Sequence, residues 1–181
     1  MEQDKLPQRI HLALELLAPL AGDRLLELGC GPGIAAIGCA QRTEVASYLG
    51  IDRSPTAIAR ARKAVSTSGL PDARRSRLAF RQAAVAAFNP GAMKFDRIFA
   101  INLNLFWLDA GRELAAIKGC LTRRGRLLLF FEPPVAAKCR RIVSGCEAQL
   151  AAGGFAMMDI HELRGGVAPF VAIAAAPTGA S

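Results

Sequence analysis

Apolar residues follow two spacings along the chain, which predict helices alternating with short buried strands. The first helix has apolar residues at helical spacing, namely Leu6, Ile10, Ala13, Leu14 and Leu17. Strands are predicted at 25–28, 45–51, 78–81, 95–101, 127–131, 155–163 and 167–176. Later helices are predicted at 34–41, 55–67, 105–121 and 136–152. Strands that alternate with crossover helices indicate a parallel sheet.

The last two predicted strands differ from the others, because only Arg164-Gly165-Gly166 separates them. A link this short cannot hold a crossover, so this pair is predicted to be an antiparallel hairpin. The expected fold class is therefore α/β, a three-layer sheet of seven strands, mostly parallel with an antiparallel C-terminal hairpin strand. We expect one domain, with an N-terminal helix in 1–22, a core fold in 23–176 and a tail in 177–181.

Composition narrows the class of protein. With 52% hydrophobic residues, the 181-residue chain is too apolar for intrinsic disorder. No apolar run approaches the roughly 20 residues that a membrane-spanning helix needs. The acidic residues Glu2 and Asp4 at the start of the chain are not typical of a secretory signal, and the five cysteines form no CxxC pair. We therefore expect a cytoplasmic protein with reduced thiols, no structural metal site and no membrane partner.

The net charge of +8 favours an anionic partner, but the basic groups are dispersed over the chain. Their dispersion is typical of a solvated basic surface, and no interleaved aromatic platform supports nucleic-acid binding. Nucleic acid is therefore the less favoured partner, and a small molecule the favoured one.

One segment carries recognisable chemistry, and it reads Glu27-Leu28-Gly29-Cys30-Gly31-Pro32-Gly33. It lies between the first predicted strand and the next helix, where glycines let the backbone approach a ligand and the helix offers free N–H groups. Asp52 ends the second predicted strand, where a carboxylate can accept hydrogen bonds from ribose hydroxyls. Ile34 breaks the dinucleotide fingerprint and the Walker lysine is absent, so the pattern indicates another nucleoside-type cofactor.

The spacing Glu-x-Gly-x-Gly-x-Gly resembles motif I of the class I S-adenosylmethionine-dependent methyltransferases. The likeness extends over about residues 23 to 176, and four further segments carry it: Gly50-Ile51-Asp52, the strand from Phe95 to Asn102, the turn and strand from Leu121 to Leu128, and Gly153-Gly154-Phe155. The resemblance implies a Rossmann-like fold, S-adenosylmethionine as cofactor, and methyl transfer to an acceptor. The cofactor residues that it implies are Glu27, Gly29, Cys30, Gly31, Gly33, Asp52, Arg53, Gln82, Ala83 and Asn102.

The sequence departs from this family after the third strand, where an acidic residue usually contacts the adenine amino group. Here the segment reads Arg81-Gln82-Ala83-Ala84, so either the Gln82 side-chain oxygen or a backbone group is expected to take that role. The Asn/Asp-Pro-Pro-aromatic motif of enzymes that methylate amino groups of adenine or glutamine is absent after the fourth strand. Its absence disfavours those acceptors.

Four residues are candidates for contact with the acceptor. Asn104 could orient a polar group, and Trp107, with Phe106, could wall an apolar pocket, although both rings could instead pack a helix onto the sheet. Glu132 is a candidate orienting group or base, and His11 a candidate base or lid residue; a solvated position is the alternative for each. No catalytic residue is assigned. The leading function is methyl transfer to a small molecule; the alternatives are an RNA methyltransferase and a cofactor-binding module without its own catalysis.

Overall fold

The strands form where short apolar runs are bounded by turn residues, and the computed structural model describes residues 6–163 and 168–179. The strands are β1 (Arg24–Leu28), β2 (Ser47–Asp52), β3 (Leu78–Gln82), β4 (Phe95–Ile101), β5 (Leu121–Phe131), β6 (Phe155–Leu163) and β7 (Phe170–Pro177). Among these residues they make one seven-stranded sheet in the order β3-β2-β1-β4-β5-β7-β6.

The helices lie between the strands in the chain. They are α1 (Gln8–Leu17), α2 (Ile34–Arg42), α3 (Pro55–Ser66), α4 (Asp72–Arg75), α5 (Gly111–Lys118) and α6 (Ala137–Ala152), with 3₁₀ helices at Val85–Ala87 and Asn104–Trp107. The predicted start of α3 is confirmed, because the Ser54 side chain accepts a hydrogen bond from the backbone N–H of Ala57 and Pro55 occupies the first turn. In the described ranges, no helix is both long and apolar enough to cross a membrane.

Strand directions confirm the predicted fold class. The pairs β1–β2, β1–β4, β2–β3 and β4–β5 are parallel, and β7 runs antiparallel to both β5 and β6. The predicted hairpin residues Arg164, Gly165 and Gly166 lie outside the described residues. The chain order reverses between β1 and β4, which makes the carboxyl ends of these two strands the expected place for a ligand.

Each face of the sheet has its own apolar core. One core joins α1, α2 and α3 to the sheet and includes Leu14, Tyr48, Phe99 and Phe130. The other joins α5 and α6 to the opposite face and includes Ile98, Leu114, Leu129 and Ile142. All five cysteines are buried, and Cys120 and Cys146 belong to the second core, as their apolar neighbours in the sequence predict.

The predicted starts of two elements are wrong by six residues each, at 105 against Gly111 and at 127 against Leu121. The helix predicted at 105–121 is shorter, because a 3₁₀ helix occupies Asn104–Trp107 and α5 begins only at Gly111. The Gln149 side chain on α6 accepts from Ala110 N–H (3.0 Å) and donates to the Leu108 carbonyl (3.3 Å). These backbone groups between the 3₁₀ helix and α5 therefore have hydrogen-bond partners.

Strand β5 begins at Leu121 rather than at residue 127. The register shifts along this stretch: Leu121 pairs with Phe95, and the next pair joins Arg126 to Arg97. Gly125 lies so close to β4 that a Cβ atom there would be 2.8 Å from the Phe95 carbonyl oxygen. The glycine therefore lets the irregular strand stay paired where the sequence suggests a turn.

Candidate functional site

A cavity of about 240 Å³ lies at the carboxyl ends of β1 and β4. Twelve residues line it: Pro7, Arg9, Ile10, Glu27, Gly29, Cys30, Gly31, Pro32, Ile34, Ala35, Ile101 and Asn102. The first helix, the glycine segment, the start of α2 and the end of β4 thus meet around one space. Five predicted cofactor residues line it, namely Glu27, Gly29, Cys30, Gly31 and Asn102.

The glycine segment adopts the backbone conformation that its composition predicts. Gly29, Gly31 and Gly33 have φ angles of 69°, 52° and 77°, a region that side-chain-bearing residues rarely adopt. The N–H groups of Gly29 and Cys30 both donate to the Ile51 carbonyl, at 2.8 and 2.9 Å. The segment is therefore fixed to the end of β2.

Gly33 is the most crowded of these glycines. A Cβ atom there would lie 2.9 Å from Ala61 Cβ on α3 and 3.2 Å from the Phe80 ring, whereas one at Gly31 would meet nothing within 4 Å. Gly33 thus allows α2 and α3 to approach each other, and Gly31 leaves the cavity open.

We expect Gly33→Ala to destabilise the fold by about 2–4 kcal/mol, because it combines a left-handed φ with overlap against α3. Gly31→Ala is the matched control, with a similar φ but open space, and should cost about 1 kcal/mol. Urea unfolding of both variants measures the difference. Equal losses would show that the approach of α2 to α3 is not what Gly33 provides.

Asp52 connects β2 to the glycine segment. Its Oδ2 accepts from Gly31 N–H at 3.0 Å, and its Oδ1 accepts from Ser54 N–H at 2.8 Å. The carboxylate is half-buried at the strand end, so each oxygen keeps a second lone pair for a ligand. The side chain can therefore hold the loop and accept hydroxyl hydrogen bonds at the same time.

The segment after β3 lies beside Asp52, because Asp52 pairs with Gln82 in the parallel register. Gln82 Nε2 donates to the Arg53 carbonyl at 3.3 Å, which leaves Oε1 as the acceptor. Ala83 N–H donates to the Asp52 carbonyl at 3.0 Å and is already satisfied. The adenine amino group is a donor and needs an acceptor, which the Gln82 side-chain oxygen can supply and the Ala83 N–H cannot. The Arg53 side chain is exposed.

Glu27 is a buried carboxyl group facing the cavity, only 3% exposed. Tyr48, on the neighbouring strand β2, donates its hydroxyl to Glu27 Oε2. Burial raises the pKa of Glu27 to about 8, with a smaller contribution from Asp52, while the Tyr48 hydrogen bond opposes the rise. Near neutral pH the cavity therefore contains a carboxyl group that is largely protonated when no cation is close.

Cys30 lines the same cavity, and burial raises the pKa of its thiol above the ordinary value. A protonated thiol is a weak nucleophile, so Cys30 contributes shape rather than reactivity to this site.

Asn102 closes the cavity at the end of β4. It has a left-handed φ of 56°, and its Oδ1 accepts from Glu132 N–H at 2.7 Å. This bond joins the ends of β4 and β5, where Glu132 lies half-buried. The sequence thus correctly associates Asn102 and Glu132 with one edge of the sheet.

The predicted aromatic wall packs elsewhere. Phe106 is fully buried in the core formed with α5 and α6. Trp107 packs on α6, where a Cβ atom at Gly145 would be 3.0 Å from Trp107 Cβ, and Arg141 lies 5.6 Å from the indole ring. The Trp107 ring N–H donates to Asn104 Oδ1 at 3.4 Å. The packing alternative is therefore the one that these contacts support, although the helix concerned is α6.

His11 lies on the exposed face of α1, away from the cavity lining. Its Nδ1 is 2.7 Å from the Arg42 guanidinium, and its Nε2 is 3.0 Å from Glu15. These contacts support the alternative of a solvated histidine. The start of this helix, with the preceding Pro7, instead brings Arg9 and Ile10 to the cavity, a placement that the sequence pattern does not predict.

Arg9 is half-buried and no described residue forms an ion pair with it. Helical periodicity places Ile10 on the apolar face, but it does not show which polar neighbour lies over the sheet edge.

The sequence also does not predict the contact of Tyr48 with Glu27, because a tyrosine in a buried strand is usual for packing alone. The one feature that points to this contact is that Tyr48 lies diagonally opposite Glu27 in the β1–β2 register.

Comparison with known proteins identifies relatives of this chain. A family model described as "Methyltransferase domain" matches residues 25–125, more than half of the chain. Trans-aconitate 2-methyltransferases of Escherichia coli and Shigella flexneri are 40% and 39% identical to it over 110 residues, or 59% of this chain. The match covers 39% of those relatives, so the chain spans about two fifths of the length of the curated relatives it matches.

Solved structures share the fold at low sequence identity. A glycopeptide N-methyltransferase complexed with S-adenosylmethionine has a TM-score of 0.75 at 16% identity, over 94% of this chain and 87% of that one. Magnesium protoporphyrin IX methyltransferase from Synechocystis has a TM-score of 0.65 at 20% identity, over 94% and 79%. The matched residues contain the glycine segment, Asp52 and β4, and the chain therefore belongs to the methyltransferase domain family, with the class I fold that its motif I resembles.

Proposed function

We propose that this chain binds S-adenosylmethionine at the carboxyl ends of β1, β2 and β4 and transfers its methyl group to a small-molecule acceptor. The observation that carries the proposal is the meeting of the glycine segment, Glu27 and Asp52 at the point where the strand order reverses. A helix N-terminus and left-handed glycines there suit a nucleoside-linked ligand.

Each part of the cofactor has a suitable partner. The ribose hydroxyls donate to Asp52, and the adenine amino group donates to Gln82 Oε1. The amino-acid end enters the cavity, where Glu27 receives the ammonium group and Arg9 the carboxylate. Opposite charges then meet in a partly buried space, where charge-assisted hydrogen bonds are strong.

When bound, the sulfonium supplies a methyl group that is already electrophilic, so the protein mainly aligns the acceptor and excludes water. Asn102 and Glu132 border the space beside the cavity. Asn104 begins the 3₁₀ helix that follows β4. Glu132 offers a carboxylate for an acceptor that must lose a proton. Cys30, with its raised pKa, takes no part as a nucleophile.

The name of the curated relatives supports a small-molecule acceptor. The curated relatives are named for transfer to trans-aconitate, and we extend from that name only the class of a small molecule. The five buried cysteines agree with a reducing compartment, and we propose the cytoplasm as the location.

Calorimetric titration with S-adenosylmethionine tests the first half of the proposal. We expect saturable binding, and no heat at high micromolar ligand would overturn it. Release of S-adenosylhomocysteine across a panel of carboxylic acids, amines and phenols tests the second half. Binding without release, also with RNA as acceptor, would instead support a cofactor-binding module, and release with RNA alone would support the RNA methyltransferase alternative.

A further inference from the structure

We propose that Tyr48 is a positioning residue for cofactor binding, which holds Glu27 so that one carboxyl oxygen is presented to the ammonium group of the ligand. The inference rests on the proposed function and adds a residue that does not line the cavity. It begins from the two buried side chains, of which Tyr48 is 1% and Glu27 3% exposed.

The two oxygens of Glu27 have different surroundings. Oε2 accepts from the Tyr48 hydroxyl, whereas no described residue donates to Oε1. Among the described residues, every side-chain nitrogen or oxygen shielded from the surface has a hydrogen-bond partner. Glu27 lines the cavity, so Oε1 is the carboxyl oxygen that a ligand in the cavity can reach. Tyr48 thus occupies the inner oxygen and leaves the outer one for a ligand.

The Tyr48 ring itself is held firmly. It meets Phe99 of β4 edge to face, with ring centroids 6.1 Å apart and an interplanar angle of 73°. It belongs to the apolar core beneath α2 and α3. A ring fixed on both sides keeps its hydroxyl at one place, so the hydrogen bond to Glu27 limits the rotamers that Glu27 can adopt.

The groups around Glu27 set the direction of its pH response. Tyr48 and Asp52 come from β2, Cys30 from the glycine segment, Cys39 from α2, and Arg9 from α1. Burial and Asp52 raise the Glu27 pKa, and the Tyr48 hydrogen bond lowers it. An ammonium ligand binds the ionised carboxyl best, so affinity should rise with pH until Glu27 is ionised, and loss of Tyr48 should move that rise to higher pH.

The test measures the affinity for S-adenosylhomocysteine between about pH 6 and about pH 8 in the wild type and in Tyr48→Phe. We expect the wild-type affinity to rise by up to about tenfold per pH unit over this window. Tyr48→Phe should bind about 3- to 10-fold more weakly near neutral pH, with the whole rise displaced to higher pH. A profile that superimposes on the wild type would overturn the proposal.

Two controls separate positioning from a general loss of structure. 5′-Methylthioadenosine has the nucleoside and the thioether but no amino-acid end, so its affinity should be equal in both proteins and insensitive to pH. Val65→Ala, a mild change in the same core, should lower the melting temperature without displacing the profile. If Tyr48→Phe weakened both ligands equally, Tyr48 would be only structural; if the wild type bound neither ligand, the proposed function itself would fail.

Discussion

Replacing Asp52 with alanine is expected to lower the affinity for S-adenosylmethionine by about 5- to 150-fold, or about 1–3 kcal/mol. The change removes the acceptors proposed for the ribose hydroxyls. It also removes the acceptors of Gly31 N–H and Ser54 N–H, which fix the glycine segment and the start of α3 to the end of β2. Ligand contact and loop geometry are lost together, which is why the effect should be large. Calorimetric titration of both proteins measures it.

The chain offers a control for this change at the amino ends of β1 and β4, away from the cavity. Asp96 also accepts hydrogen bonds through both of its oxygens, from Arg24 N–H at 2.9 Å, Arg24 Nε at 3.2 Å and Arg24 Nη2 at 3.5 Å. Asp96→Ala should therefore lower the free energy of unfolding about as much as Asp52→Ala does. It should leave the affinity for S-adenosylmethionine unchanged. If Asp52→Ala bound the ligand as tightly as the wild type, the ribose would have to be held by other groups.

The sequence predicts the sheet well because its strands are short apolar runs with clear ends. The glycine segment and Asp52 were predictable for a related reason, because each is recognised from neighbouring residues in the sequence. The segment needs a turn that glycine adopts most easily, and Asp52 is a carboxylate at a strand end. Gly29, Gly31 and Gly33 all have the expected positive φ.

The missed features depend on contacts between distant parts of the chain. The break before α5 is stabilised by Gln149, which is 39 residues away from Ala110. Arg9 reaches the cavity because of how α1 lies over the sheet edge, which its own periodicity does not specify. The hydrogen bond of Tyr48 to Glu27, on which its proposed role depends, exists only because the β1–β2 register brings the two side chains together. Such partners follow from the tertiary arrangement and not from local pattern.

Replacing Glu27 with glutamine is expected to change stability and affinity in opposite directions. Glu27 has a pKa of about 8 in the folded protein against an ordinary 4.5, so the folded state holds a proton that the unfolded state has already lost between these values. Wild-type stability therefore falls as pH rises through this window, by at most about 1.4 kcal/mol per pH unit. Glutamine cannot titrate and still offers an oxygen to Tyr48, so the variant should not lose this stability.

The melting temperature of Glu27→Gln relative to the wild type should therefore increase steadily from about pH 5 to about pH 8. Its affinity for S-adenosylmethionine should fall by about 10- to 100-fold, because a neutral amide cannot pair with the ligand's ammonium group. Glu147→Gln, at an exposed position of α6, makes the same chemical change outside the cavity and should alter neither quantity. A constant difference in melting temperature across this pH range would mean that Glu27 is ionised in the folded protein. The burial of a carboxyl group in this cavity would then carry no cost in stability, and the site would be preorganised for a cation without any ligand.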